Sequence, residues 1–238
     1  MRPGPDDRWF FVHVMKTGGT TVRALFDRHH DIRHLYPCEL DEPMFEAKIN
    51  PQRLLGLSAE RLDEIHVFTA HIPATARELL PYPTRTMTVL REPVARTISW
   101  LRQNQRIHSP QAPLEQIYEV EQARRAYADN HQTRMFAIRT SDRVNSFTNY
   151  IEIDDHRFAE AKARLDEIEM VGFQEDLEPF LDAVADRFGY TDRRVPSMNV
   201  GRGDFEVSDS LRQRIAADNA WDIEFYRYAR EARHFPNW

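Results

Sequence analysis

The chain has 238 residues, a formal net charge of −6 and a mean hydropathy of −0.64. This length suits one α/β domain, and 41% hydrophobic residues are enough to fill its core. The acidic balance argues against non-specific binding to nucleic acid or to an anionic membrane. We therefore expect one soluble domain over residues 1–238, with no nucleic-acid partner.

Signals for disulfides, secretion and membrane insertion are missing from the sequence. Cys38 is the single cysteine, which excludes a disulfide framework and a Cys-based metal site. The polar N-terminus is not followed by an apolar signal segment. No apolar run approaches the ~20 residues that a membrane span needs. These features predict a cytoplasmic protein, or a soluble domain without its targeting segment.

Residues 10–21 predict a strand, a tight loop and the start of a helix. Residues 10–14 are mostly apolar, and residues 15–21 read Met-Lys-Thr-Gly-Gly-Thr-Thr. Apolar residues then recur at helical spacing, at Val22, Leu25 and Phe26. Such a loop directs backbone N–H groups and the positive end of a helix at one point, which favours a bound phosphate or sulfate. The alternative interpretation is an ordinary strand-to-helix turn.

The remainder of the chain alternates short strands with helices. The patterns predict a loop at 27–42, short helical segments at 43–62, a helix-like segment at 72–83 and mixed structure at 130–149. Further strands are predicted at 66–70, 85–90 and 170–173. Helices are predicted after Pro93 and at 114–128, 156–168, 175–188, 208–219 and 221–233. This alternation predicts an α/β fold with a central parallel β-sheet flanked by helices on both faces.

Three chemically suitable residues follow predicted strands: Lys16, His71 and Arg91. In open parallel sheets, ligands bind beyond the carboxyl ends of the strands. Residues 71–145 contain 11 arginines against 7 acidic residues, whereas residues 152–186 contain 12 acidic and 3 basic residues. We therefore expect an anionic ligand to bind beside the first of these segments.

Two motifs resemble those of sulfotransferases that use 3′-phosphoadenosine-5′-phosphosulfate (PAPS). Residues 15–21 are similar to the 5′-phosphosulfate loop of these enzymes. Residues 88–99, Thr-Val-Leu-Arg-Glu-Pro-Val-Ala-Arg-Thr-Ile-Ser, resemble the 3′-phosphate motif, in which an arginine ends a strand and a serine follows eight residues later. Weaker similarity at 130–134, at 171–175 and at Asn199 extends the resemblance over most of the chain. The most similar branch is the carbohydrate one, which includes heparan sulfate and uronyl 2-O-sulfotransferases.

The resemblance implies a P-loop-like domain that transfers a sulfuryl group from PAPS to a hydroxyl acceptor, with a glycan as the expected acceptor. It implies 3′,5′-ADP as the product and no required metal. Lys16 would contact the phosphosulfate and stabilise the charge that develops on the leaving phosphate oxygen. The cofactor-binding residues implied are Lys16, Thr17, Gly18, Gly19, Thr20, Thr21, Arg91 and Ser99. An arginine suits a terminal phosphate because its planar fork donates two parallel hydrogen bonds.

Two other functional classes remain as alternatives. A P-loop kinase places its lysine after the glycines, as Gly-x-x-x-x-Gly-Lys-Ser/Thr, and it requires ATP and Mg²⁺. Here Lys16 precedes Gly18 and Gly19, and a complete Walker A pattern is lacking. The second alternative is a catalytically silent nucleotide-binding protein.

His71 is the predicted catalytic base, acting with Lys16. A sugar hydroxyl is a poor nucleophile, so a base near its oxygen assists transfer. The position of His71 resembles that of the catalytic histidine in 2-O-sulfotransferases, although Thr69 stands where these often have a second histidine. The rival bases are His13, His66 and His108.

Two weaker signals complete the sequence-based predictions. His29, His30 and His34 lie close together in sequence, but no partner spacing supports a metal site, so none is expected. Arg202 is a candidate to close over the 3′-phosphate.

Overall fold

The computed structural model describes residues 8–193 and 207–232. Its centre is a five-stranded sheet in the order β2-β3-β1-β4-β5, and every neighbouring pair is parallel. The strands are β1 (Trp9–Val12), β2 (Leu35–Tyr36), β3 (Val67–Phe68), β4 (Arg85–Leu90) and β5 (Met170–Phe173). The predicted parallel α/β sheet is confirmed.

Helices and short 3₁₀ turns connect the strands. The α-helices in the described ranges are α1 (Gly19–His29), α2 (Met44–Ile49), α3 (Ala59–Glu64), α4 (Pro93–His108), α5 (Leu114–Tyr118), α6 (Glu121–Tyr127), α7 (His131–Ala137), α8 (Asp155–Asp166), α9 (Leu177–Phe188), α10 (Asp209–Asp218) and α11 (Ala220–Ala232). In these ranges, none of the helices combines the length and apolar character needed to cross a bilayer.

Successive residues of β1 point to opposite faces of the sheet, and both faces are buried. Trp9 and Phe11 pack with apolar residues of α1 and α9. Phe10 and Val12 belong to a second cluster with residues of α7, α8 and α11. The prediction that helices cover both faces is therefore confirmed.

The contact between β5 and α9 requires a glycine. A Cβ atom at Gly172 would lie 2.5 Å from the ring of Phe180, so a side chain there would push α9 away from the sheet. Gly172 therefore allows α9 to pack directly on β5.

Three predicted segments differ in detail from the structure. Residues 27–42 were predicted as a loop but contain β2, whose Leu35 and Tyr36 pair with Val67 and Phe68. Two residues are too few for a hydrophobic period, so only the sheet context reveals this strand. The predicted helix at 114–128 is divided into α5 and α6, and the helix-like segment at 72–83 is a 3₁₀ turn over Ala74–Leu79.

Candidate active site

The loop after β1 has the tight conformation expected of an anion-binding turn. Gly18 has φ 96°, a value that favours glycine, and Lys16 has φ 67°. A left-handed lysine costs on the order of 1–3 kcal/mol and persists only where its surroundings enforce it. The carbonyl of Gly18 accepts a hydrogen bond from the N–H of Thr21 at 2.9 Å, which starts α1. The free N–H groups of the first helical turn therefore lie at this loop.

Gly19 is required by its contact with His13. A Cβ atom at Gly19 would lie 2.2 Å from Cδ2 and Nε2 of the His13 ring. The first residue of α1 can therefore approach the imidazole only because it has no side chain.

A cleft of about 220 Å³ lies beyond the carboxyl ends of β1, β3, β4 and β5. It brings together most of the site residues predicted from sequence: Lys16, Gly18, Gly19, Thr20, Thr21, His71, Arg91 and Ser99. His13, Met15, Gln103, Gln174 and Leu177 complete the lining. The 15–21 loop, the arginine–serine motif and the candidate base thus share one cavity.

Thr17 differs from the other predicted loop residues. Its side chain is fully buried, and its hydroxyl donates to the carbonyl of Val14 at 3.0 Å. The Thr17 hydroxyl therefore stabilises the loop conformation by this hydrogen bond, and Thr17 does not line the cleft.

The cleft carries an excess of positive charge. Burial lowers the pKa of Lys16, and Arg106, Arg96 and Arg91 lower it further. None of the described lining residues has a carboxylate. A bound anion would relieve this repulsion between cations, so the electrostatics of the cleft favour a phosphate or sulfate ligand.

Arg91 is held at its backbone and keeps part of its guanidinium unpaired. The side-chain amide of Gln132 accepts from the Arg91 N–H at 3.0 Å and donates to the Arg91 carbonyl at 2.8 Å. A terminal guanidinium nitrogen of Arg91 donates to the carbonyl of Lys16 at 3.2 Å, whereas Nε is buried without a hydrogen-bond partner in the described ranges. Gln132, from the weaker motif at 130–134, therefore fixes Arg91 against the loop.

Arg96, within the second motif, was not predicted as a site residue. Its side chain is fully buried, and Nε donates to the carbonyl of Met15 at 3.1 Å. Both terminal nitrogens lack partners in the described part of the chain, and burial lowers the pKa of Arg96 to about 9. Arg91 and Arg96 thus donate hydrogen bonds to successive carbonyls of the loop, those of Lys16 and Met15. The sequence feature that could have identified Arg96 is its position five residues after Arg91, on the same helix as Ser99.

His71 lies beside a second histidine, His13. Nδ1 of His71 donates to the carbonyl of His13 at 2.8 Å, and the two rings lie 3.9 Å apart. Nδ1 of His13 donates in turn to the carbonyl of Thr69 at 3.1 Å. A carbonyl can only accept, so each neutral ring carries its proton on Nδ1 and leaves Nε2 as a proton acceptor.

Both imidazoles are neutral at ordinary pH. Burial lowers the pKa of His71, with Lys48 and Lys16 adding to the effect. Burial lowers the pKa of His13 further, and the neighbouring His71 reinforces that shift. The cleft is therefore lined by two neutral imidazoles as well as by the Lys16 loop.

Thr69 has a supporting position behind the histidines. Its hydroxyl donates to the carbonyl of Tyr36 at 3.1 Å and accepts from Arg23 at 2.7 Å. The histidine beside His71 is therefore His13, which follows the neighbouring strand β1. The sequence predicts His13 only as a rival base, and the fold brings it beside His71 although 58 positions separate them.

The remaining predicted residues lie elsewhere. His66 precedes β3 at the amino end of the sheet, and His108 is an exposed residue at the end of α4. Arg202 and Asn199 fall outside the described residues. Gln174, which lines the cleft, belongs to the 171–175 similarity quoted above.

Comparisons with family models and with curated proteins found no match. Among solved structures, the chain is similar to the crystal structure of a sulfotransferase from Alicyclobacillus acidocaldarius. The TM-score is 0.50 at 17% identity, and the match covers 92% of this chain and 95% of that chain. At this identity the likeness shows a shared fold over nearly the whole of both chains.

Proposed function

We propose that this chain is a sulfotransferase that moves a sulfuryl group from PAPS to a hydroxyl acceptor. The observation that carries the proposal is one cleft in which the Lys16 loop, the Arg91–Ser99 pair and His71 meet. The fold, shared with a structure described as a sulfotransferase, supports the same function.

The two motifs suit the two ends of one nucleotide. The loop N–H groups and Lys16 would hold the 5′-phosphosulfate at the start of α1. Arg91 and Ser99 would bind the 3′-phosphate, for which Arg91 offers a partly unpaired guanidinium. ATP carries no 3′-phosphate, so this second anion site favours a 3′-phosphorylated nucleotide.

The chemistry requires positioning, charge neutralisation and one proton acceptor. The acceptor oxygen forms a bond to sulfur as the bond from sulfur to the 5′-phosphate oxygen breaks, releasing 3′,5′-ADP. Nε2 of His71 takes the hydroxyl proton. Lys16 stabilises the negative charge that grows on the leaving phosphate.

The charge in the cleft comes from side-chain cations, and we propose that no metal is required. Mg²⁺ in phosphotransferases is held by carboxylates and substrate phosphates. The described lining residues supply Lys16 and Arg91 and lack a carboxylate. This composition disfavours a kinase. A carbohydrate hydroxyl remains the proposed acceptor, because of the resemblance to 2-O-sulfotransferases.

Thermal unfolding with different nucleotides separates the three candidate functions. Saturating 3′,5′-ADP in the presence of a chelator should raise the unfolding midpoint by about 5–10 °C at 100 times its Kd. Mg-ATP should shift it little. Stabilisation by Mg-ATP alone would contradict the proposal in favour of a kinase.

Radiolabelled PAPS then tests transfer itself. Purified protein incubated with glycans, lipids and small phenols should label a hydroxyl-bearing acceptor. We expect that acceptor to be a glycan. Binding of 3′,5′-ADP without labelling of any acceptor class would favour a catalytically silent nucleotide-binding protein.

A further inference from the structure

A cluster of three histidines lies at the amino ends of the strands, at the opposite end of the sheet from the cleft. His30 follows the last residue of α1, His34 precedes β2 and His66 precedes β3. The sequence offered no partner for His30 and His34, because His66 lies more than thirty positions further along. The fold supplies that partner.

Backbone pairing fixes two of the three histidines. The N–H of His66 donates to the carbonyl of His34 at 2.8 Å, just before the Leu35–Val67 pair of strands β2 and β3. Residues in register on neighbouring strands project to the same face. The His34 and His66 rings accordingly stack with centroids 4.2 Å apart and planes 13° apart.

The third ring closes over this pair from the end of α1. The His30 ring lies edge-on to His34 and His66, with centroids 6.4 Å and 6.2 Å away. A ligating nitrogen from each ring lies within 4.8 Å of the other two. All three side chains are half-buried, so an ion can enter from solvent.

We propose that His30, His34 and His66 bind one divalent transition-metal ion, for which Zn²⁺ is the best fit. Imidazole nitrogen is a preferred ligand of zinc, and three histidines with an open fourth position form a recurring zinc site. Zn–N bonds of ~2.0–2.1 Å place tetrahedral ligands ~3.3 Å apart, with the ion in the plane of each ring. The stacked His34 and His66 rings therefore have to tilt towards each other on binding.

The surroundings of the cluster hold its rings in place. Nε2 of His30 lies 2.5 Å from the hydroxyl of Tyr190, which fixes the ring as a hydrogen-bonded partner of a metal ligand does. His29 is engaged elsewhere, with Nε2 hydrogen-bonded to the carbonyl of Asp192 at 2.7 Å. The neighbouring histidine therefore stands apart, and the ligand set is His30, His34 and His66.

The ion would fasten α1 to two strands of the sheet. α1 starts at the phosphate loop and ends at His29, and its 11 residues span about 16 Å. The ion would therefore lie far from the sulfuryl group and stabilise the helix that carries the phosphate loop. Its role is structural, and it is independent of the proposed transfer reaction.

The test uses tag-free, full-length protein that has been treated with a chelator and then dialysed. Zn²⁺ is titrated by calorimetry and by thermal unfolding, with Mg²⁺ as a hard-cation control. We expect one equivalent of zinc to bind and raise the unfolding midpoint by several degrees, with no effect from Mg²⁺. His34→Gln and His66→Gln should each remove this binding, whereas His108→Gln, at an exposed histidine on α4, should retain it.

The metal-free unfolding midpoint of each variant is measured first. If His66→Gln does not fold, His34→Gln decides the outcome. Failure of the wild-type protein to bind one equivalent of zinc would overturn the proposal. So would zinc binding that persists in a folded His34→Gln variant.

Discussion

The carbonyl of His13 accepts a hydrogen bond from Nδ1 of His71 at 2.8 Å, and the two imidazole rings lie 3.9 Å apart. This contact joins the segment after β1, which leads into the proposed phosphate loop, to the candidate base. It fixes the His71 tautomer and leaves Nε2 to accept a proton. His71 is thus positioned by the same strand that delivers Lys16.

Replacing the candidate base should separate catalysis from nucleotide binding. We expect His71→Ala to lower turnover by about 10²–10⁴-fold, the usual contribution of a general base. The Kd for 3′,5′-ADP should stay nearly unchanged, because His71 is assigned to the acceptor hydroxyl and Lys16, Arg91 and Ser99 to the phosphates. Radiolabelled transfer and calorimetry measure the two quantities, with His108→Ala as the matched control. If turnover survives in His71→Ala, His71 is not the base, and His13 becomes the next candidate.

The pH dependence of the reaction should reflect a base with a lowered pKa. Burial places the pKa of His71 below its ordinary value near 6.5, so the ring is already neutral at pH 7. Activity requires the neutral ring and is lost only as the pH falls through that lowered pKa. We therefore expect kcat/KM for PAPS, which reports on the free enzyme, to be flat from pH 8 to about 6.5 and to decline below. An acidic limb centred at or above pH 6.5 would contradict this assignment.

Arg91 should determine the preference for a 3′-phosphate. A hydrogen bond between charged groups contributes about 1.5–3 kcal/mol, so Arg91→Ala should weaken 3′,5′-ADP binding by about 10- to 100-fold. Binding of 5′-AMP, which lacks the 3′-phosphate, should change little. Calorimetric titration of both nucleotides measures the ratio, and Arg125→Ala on the exposed surface of α6 is the control. Equal weakening for both nucleotides would instead show that Arg91 acts through the loop carbonyl of Lys16.

The close contact between Gly19 and His13 should make the phosphate loop intolerant of a single methyl group. Gly19→Ala places Cβ 2.2 Å from the His13 ring, and overpacking of this kind costs about 1–3 kcal/mol. The displaced ring or helix start should also reduce stabilisation by 3′,5′-ADP. Gly56→Ala is a matched control, because a Cβ there meets nothing within 4 Å. Chemical denaturation with and without nucleotide compares the two variants, and identical behaviour would refute the contact.

Local patterns were sufficient where a segment carried its own signal. The alternation at Arg85–Leu90 and the apolar run Met170–Phe173 matched strands β4 and β5 residue for residue. The helical period at Val22, Leu25 and Phe26 predicted α1, whose buried face these residues form. These features depend on residues that are close together in sequence, so one sequence is enough to predict them.

Contacts between residues that are distant in sequence could not be predicted from such local patterns. β2 has two residues and exists because Val67 and Phe68 lie beside it. The pairing of His13 with His71, and of His34 with His66, follows from the strand order, which places β1 and β2 on either side of β3. The burial of Arg96 depends on the packing of α4 against the loop. Sequence alone could name these residues but could not place them together.

The crystal structure of the complex with 3′,5′-ADP tests the central claim most directly. The account predicts the 5′-phosphate on the N–H groups of residues 18–21 and on Nζ of Lys16. It predicts the 3′-phosphate within hydrogen-bond distance of Arg91 and Ser99, with Nε2 of His71 facing the position of the transferred sulfate. A nucleotide bound outside this cleft, or a 3′-phosphate directed away from Arg91 and Ser99, would contradict the account.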